Sequence, residues 1–201
     1  MVAAIAALWA AVTVSATVGQ VDFAVAGELS AAATHPATDL VLAVTTLGAT
    51  QVILLVTAIG LAVLATMRQW HGFMTLALSV AATELGVQVV KVLVERPRPP
   101  EADALTQASG FSFPSGHAAT AVAVYAVIAL LLARGCCGRR RVALLLAGGL
   151  VVLGVGASRV YLGVHYPTDV LAGWLTGATL ALASWLVVTR VRIPRAPSPA
   201  A

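Results

Sequence analysis

The 201-residue chain is 60% hydrophobic and only 10% charged, with a mean hydropathy of +0.95. That composition argues against a water-soluble domain, whose surface would need far more charge, and for a lipid bilayer as solvent. The net charge of +4 is carried by arginine with Lys91 as the single lysine, and it reads as anchoring charge at one membrane face, so no nucleic-acid partner is expected.

A helix needs about 20 apolar residues to cross a bilayer. Six segments meet or approach that length, at residues 2–18, 40–66, 72–94, 116–132, 142–157 and 170–188. The expectation is an all-α bundle of six transmembrane helices, a single domain over residues 1–190, followed by a disordered cytoplasmic tail at 191–201. Ala24-Val25-Ala26 resembles a signal-peptidase site. No basic residue precedes the first apolar run, so that run is expected to stay as a span. The second segment is longer than a span requires. The fifth carries Gly148, Gly149, Gly154 and Gly156, which suits close helix packing.

Charge placement orients the bundle. Arg68, Arg134, Arg139, Arg140, Arg141, Arg190, Arg192 and Arg195 fall after the second and fourth segments and in the tail. These places share one side of a six-span protein, and the positive-inside rule makes that side cytoplasmic, with both termini. Asp22, Glu28, Asp39, Glu95, Glu101, Asp103 and Asp169 are expected in the opposite loops. Cys136 and Cys137 are adjacent in an arginine-rich loop and imply no disulfide.

The other polar residues form three clusters, all on the non-cytoplasmic side by this count. They are Lys91 with Arg96-Pro97-Arg98-Pro99, then Pro114-Ser115-Gly116-His117, then Ser158-Arg159 with His165 and Asp169. Lys91, Arg98 and Arg159 suit a multiply charged phosphate. Ser115 and Gly116 open a helix, where free N–H groups and the helix dipole favour an anion. His165 and Asp169 lie four residues apart, one helical turn, so the carboxylate is able to accept the Nδ1–H and leave Nε2 as a nucleophile. His117 is placed to protonate a leaving oxygen.

The order Lys91-x6-Arg98-Pro99, Pro114-Ser115-Gly116-His117 and Ser158-Arg159-x5-His165-x3-Asp169 resembles the three-part signature of the type 2 phosphatidic acid phosphatase family. That superfamily also holds bacterial acid phosphatases and vanadium haloperoxidases. The resemblance implies a phospho-histidine at His165, oriented by Asp169. His117 would act as acid and then base, while Lys91, Arg98, Ser115, Gly116 and Arg159 hold the phosphoryl oxygens. It implies no metal and no cofactor, phosphate or vanadate as site ligands, and a multi-pass inner-membrane phosphatase whose site faces the periplasm or exterior. The first expected substrate is undecaprenyl diphosphate, with phosphatidic acid or phosphatidylglycerol phosphate as the alternative. Arg96 duplicates the arginine-proline pair, and spacing alone selects Arg98.

Other readings stand beside these. A vanadate-dependent haloperoxidase would use the same pocket, and a non-catalytic anion-binding or transport protein would need the cations but not the His165–Asp169 pair. A zinc site from His117, His165 and Asp169 would face repulsion from three nearby cations. His35 and His71 read as surface groups, and Tyr161 and Tyr166 as packing for the pocket wall. Glu84 is the acid inside a span. With Gln88 and Lys91 it forms a polar stripe, and it either pairs within the bundle or lines a groove below the phosphate pocket.

Overall fold

The computed structural model describes residues 16–31, 34–100 and 104–190, all of it helix, turn and loop. The helices are α1 (Ala16–Ala31), α2 (His35–Thr46), α3 (Thr50–Thr66), α4 (Trp70–Val94), α5 (Gly116–Ala133), α6 (Gly138–Tyr161) and α7 (Pro167–Arg190). Four of them, α4 to α7, are long and apolar enough to cross a membrane, and the pair α2–α3 makes a fifth if counted as one bent span. Against the expected six spans, four or five are seen among the described residues, which leave out residues 2–15 of the first expected span; the tail at 191–201, expected to be disordered, also lies outside them.

The bundle is built as a protein dissolved in lipid. Leu55, Leu85, Leu93, Leu150 and Val92 face outward, while Thr75, Ser79, Thr83, Thr120, Thr176 and Ser184 are buried. Three of these hydroxyls return their protons to their own helix: Thr120 Oγ1 to Gly116 O at 3.0 Å, Thr176 Oγ1 to Ala172 O at 2.7 Å and Ser184 Oγ to Leu180 O at 2.8 Å. A hydroxyl satisfied this way costs little in a medium that offers no water. An apolar layer of Ile53, Leu76, Val80, Val124 and Val127 joins α3, α4 and α5.

Helix α7 packs along α4 and α5. Its approach to α5 depends on two glycines. A Cβ on Gly173 would lie 2.5 Å from the Ser115 carbonyl oxygen, and one on Gly177 would lie 2.3 Å from that of Ala119. Small residues at such a crossing let backbones touch, which is how membrane helices associate without a hydrophobic driving force. The contact also ties the start of α5 to the start of α7, where Ser115 N donates to Asp169 O at 2.9 Å.

Residues 40–66, expected as one long span, are broken. The axis bends by 46° between the helix ending at Thr46 and that starting at Thr50. The break frees the Leu47 carbonyl, and Tyr125 Oη donates to it at 2.7 Å. Tyr125 sits in a π-helical turn over Val122–Ala126, which interrupts α5. Two irregularities thus satisfy each other, as broken backbone at membrane depth requires.

Candidate active site

Chain reversals at three helix ends bring the polar residues together. Helix α6 ends in a Schellman motif: Gly163 takes φ +68°, its N–H donates to Val160 O at 2.9 Å, and Val164 N donates to Arg159 O at 3.2 Å. That motif turns the chain back on its own last turn, so His165 lies beside Arg159. Pro167 at the start of α7 needs no donor there, and Asp169 occupies the first turn. At the end of α4, Glu95 adopts the left-handed φ of 49°, and the Arg96-Pro97-Arg98-Pro99 segment leaves as extended chain because proline bars a helix.

His165 is 2% exposed and Asp169 fully buried. His165 Nδ1 lies 3.4 Å from Asp169 Oδ2, and Arg98 Nη1 lies 3.2 Å from His165 Nε2. A guanidinium can only donate, so Nε2 carries the lone pair and the proton sits on Nδ1, directed at the carboxylate. Burial pushes the imidazole down to about 4, against the opposing hydrogen bond and charge of Asp169, while Arg98 and Arg159 push the same way as burial. The ring is therefore neutral at physiological pH. The 3.4 Å contact is long, and it has room to shorten when the ring gains charge.

Lys91, Arg98, Arg159 and His165 all act electrostatically on His117, which opens α5. The catalytic and phosphate-binding residues expected from the sequence are thus brought to one end of the bundle. Their hydrogen bonds differ. Arg98 spends its donors on Gly110 O (2.9 Å), Val164 O (2.7 Å), Ser109 O (2.9 Å), Phe111 O (3.4 Å) and His165 Nε2. It staples the 109–111 loop to the histidine loop. Lys91 Nζ donates to Phe111 O at 2.6 Å and keeps further N–H directions open. Arg159 donates from Nη1 to Thr45 Oγ1 at 2.9 Å, but its buried Nε has no partner. A buried donor without an acceptor costs about 1–3 kcal/mol. Ser115 caps α5, accepting weakly from Ala118 N at 3.5 Å.

Four features escaped the sequence reading. Thr45 and Gly48 lie at the α2–α3 break and line the site: a Cβ on Gly48 would meet His117 Cδ2 at 2.9 Å. Arg96 is not a spare copy or an interfacial anchor. It donates to Asp169 Oδ1 at 2.5 Å and to Asp22 Oδ2 at 2.8 Å, with Tyr166 stacked 4.2 Å from its centre. Asp22, expected in an outer loop, lies on α1 and is 2% exposed. The only signal for these was the second arginine of the pair and the glycine inside a long apolar run. Tyr166, expected as packing for the pocket wall, covers Arg96 instead, and Tyr161 Oη lies 3.4 Å from Thr38 Oγ1. Glu84 is half-buried on α4 and Gln88 exposed, so the expected stripe continues to Lys91 only in part. His71 is exposed. Among the described residues no group of three His, Cys, Asp or Glu side chains is arranged to hold a metal ion.

Fold and site together define a multi-pass membrane protein that gathers cations around one buried histidine. The chain belongs to the PAP2 superfamily, whose model matches residues 72–193. It is 42% identical over 116 residues to phosphatidylglycerophosphatase B of Bacillus subtilis, covering 56% of each chain. It is 39% identical over 74 residues to an undecaprenyl-diphosphatase of Sulfolobus acidocaldarius, covering 37% of this chain and 32% of that one. The matched stretch thus spans little more than half of the first relative and about a third of the second. Among solved structures, a transmembrane PAP2-type phosphatidylglycerolphosphate phosphatase from Bacillus subtilis superposes with a TM-score of 0.84 at 30% identity, covering 94% of both chains. Aquifex aeolicus LpxE shares the fold, with a TM-score of 0.68 at 23% identity over 82% of this chain and 94% of that one.

Proposed function

We propose that the protein is a membrane lipid phosphatase that removes a terminal phosphate through a phospho-histidine at His165. The observation that carries the reading is the state of that ring: buried, neutral, with its proton directed at Asp169 and its lone pair facing the cations. Nε2 attacks phosphorus as the bond from phosphorus to the leaving oxygen breaks, and His117, which takes up a proton when the phosphate's charge enters among the cations, gives that oxygen its proton. Water then attacks the phospho-histidine, losing a proton to His117, and inorganic phosphate leaves. The imidazolium character that His165 gains on attack is stabilised by Asp169. The phosphoryl oxygens take the open donors of Lys91, the unpartnered Nε of Arg159 and the N–H groups at the start of α5, while Arg98 exchanges His165 for an oxygen. Because these contacts strengthen as charge moves onto oxygen, they favour the transition state over the ground state.

The reading places the site at the periplasmic or exterior face of the plasma membrane, opposite Arg134 and Arg139–Arg141. Phosphatidylglycerol phosphate is the better-supported substrate. A cavity of about 750 Å³ beside the histidine loop has a mixed wall, with Arg98, Thr106, Gln107 and Ser109 beside Leu105 and Val164, and its polar side chains offer partners to a glycerol head group. The Bacillus relatives named for that activity align over the larger share of the chain. Undecaprenyl diphosphate, the first expectation from the sequence, is kept as the second reading on the name of the archaeal relative.

The test is phosphate release in detergent from a panel of phosphatidylglycerol phosphate, phosphatidic acid and undecaprenyl diphosphate, with EDTA present. Release is expected, fastest from the first, and His165→Ala should abolish it while leaving the melting curve in place. Unaltered release from that variant would refute the nucleophile. A ranking headed by the diphosphate would select the second reading.

A further inference from the structure

We infer that Asp22, on the N-terminal helix, is a positioning residue for the reaction, acting through Arg96 on the Asp169–His165 pair. The inference rests on the proposed role of His165 and deepens it. Asp169 divides its two oxygens: Oδ1 takes Arg96 Nη1 at 2.5 Å, while Oδ2 takes the Tyr166 N–H at 3.0 Å and faces His165 Nδ1. With Oδ1 held by a cation, the carboxylate cannot rotate about its own axis without breaking an ion pair at a fully buried site. Oδ2 therefore stays on the imidazole.

Arg96 in turn needs holding, since a guanidinium on a flexible stem fixes nothing by itself. Its Nη2 donates to Asp22 Oδ2 at 2.8 Å, its Nη1 also reaches Thr168 Oγ1 at 2.9 Å, and the Tyr166 ring covers one face at 4.2 Å. Asp22 is fixed from the same side by α7: its Oδ1 accepts the Thr168 N–H at 3.1 Å, and Thr168 Oγ1 donates to its Oδ2. Two buried carboxylates thus share one guanidinium, and the first turn of α7 is capped by a residue of α1. Asp22 is 2% exposed. A buried carboxylate is costly unless paired, and Asp22 touches neither the cavity beside the histidine loop nor His165. Its charge bears on the site through Arg96, and its bonds to Thr168 hold the first turn of α7 beside it. The charged groups that bear on His165 directly are Asp169, Arg98 and Arg159.

The experiment compares Asp22→Asn, Arg96→Gln and the double variant with wild type in two assays. In turnover of phosphatidylglycerol phosphate, D22N should lower kcat by about 10–100-fold, the usual cost of losing an outer-shell partner, with KM within about twofold. The double variant should be little slower than R96Q, because the charge of Asp22 reaches the site through Arg96, while an asparagine keeps an acceptor for the Thr168 N–H. The second assay needs no turnover. Orthovanadate, which forms a bond to an imidazole nitrogen, should lose about tenfold in affinity by thermal shift in D22N, whereas inorganic phosphate, held by the cations, should bind as before. Asp22→Glu keeps the charge one methylene further out and should recover part of kcat. Should D22N fail to fold, D22E carries both assays with the same signature at smaller size. Wild-type kcat and vanadate affinity in D22N would overturn the inference, as would losses that multiply in the double variant or that appear in KM and phosphate affinity. If wild type hydrolyses none of the lipids, the proposed function falls and the vanadate assay alone decides the role of Asp22.

Discussion

Arginines stand at both ends of the bundle, and the two ends treat them in opposite ways. At the site end Arg96 and Arg159 are largely withdrawn from solvent, each on named partners: Asp22 and Asp169 for the first, Thr45 for the second. At the other end Arg134, Arg139, Arg140 and Arg141 are exposed, and Arg134 and Arg141 border an apolar crevice of about 470 Å³ walled by Leu130, Leu145, Leu182 and Trp185. The residue type is the same and the energetics are not. A guanidinium taken out of water is costly to leave unmatched; Arg96 is matched by two carboxylates, so removing either leaves an uncompensated charge, whereas Arg159 is met by one hydroxyl. One left in water beside lipid head groups is interchangeable with its neighbours.

That contrast can be broken or sharpened by experiment. The largest effect should come from Asp169→Asn, which removes the group that holds His165 in its reactive tautomer; kcat should fall by about 10³–10⁴-fold, as expected for an orienting carboxylate, with phosphate affinity retained. A smaller loss there would mean that Arg98 alone sets the ring. Next comes pH. His165 has its pKa lowered to about 4, so its ring is neutral above that value and protonated below it. The rate should be insensitive to this group from neutral pH downward until about 4, then drop about tenfold per further unit. Stability follows the same sign. The unfolded histidine takes up a proton first, near 6.5, so stability is lost as pH falls from there through the folded value of about 4.

Gly173→Ala should be milder. The added methyl meets the Ser115 carbonyl 2.5 Å away, forcing α5 and α7 apart at a cost of about 1–3 kcal/mol by thermal or denaturant melting. If the melt is unchanged, the close crossing is not what joins the anion-binding turn to Asp169. The smallest effect belongs to the exposed end, where Arg139→Gln should alter stability by less than about 0.5 kcal/mol and leave kcat at the wild-type value.

Much of the site was legible in advance because its residues announce themselves locally. His165 and Asp169 stand four residues apart across the start of α7, Ser115 and Gly116 sit where a helix must begin, and Lys91 stands near the end of an apolar run whose other charge is Glu84. The misreadings have a common form. Arg96 and Arg98 look alike in sequence, separated by one proline, yet one staples carbonyls and the histidine while the other bridges two carboxylates. Residues 40–66 look like one span because hydropathy averages over Gly48, although the break there supplies Thr45 to Arg159 and a close wall to His117.

Amino-acid composition and local spacing alone settle that the chain lives in a membrane, that it is helical, and which three polar clusters break its apolar runs. Those properties depend on transfer from water and on one or two helical turns, forces that act within a short window of sequence. Which charge meets which was decided only by the tertiary structure. The Asp22–Arg96 pair closes over 74 residues and the Thr45–Arg159 pair over 114, and pairings at that range follow from how helices cross. The glycines of α7 and the bend between α2 and α3 set those crossings, and no periodicity along the chain encodes them.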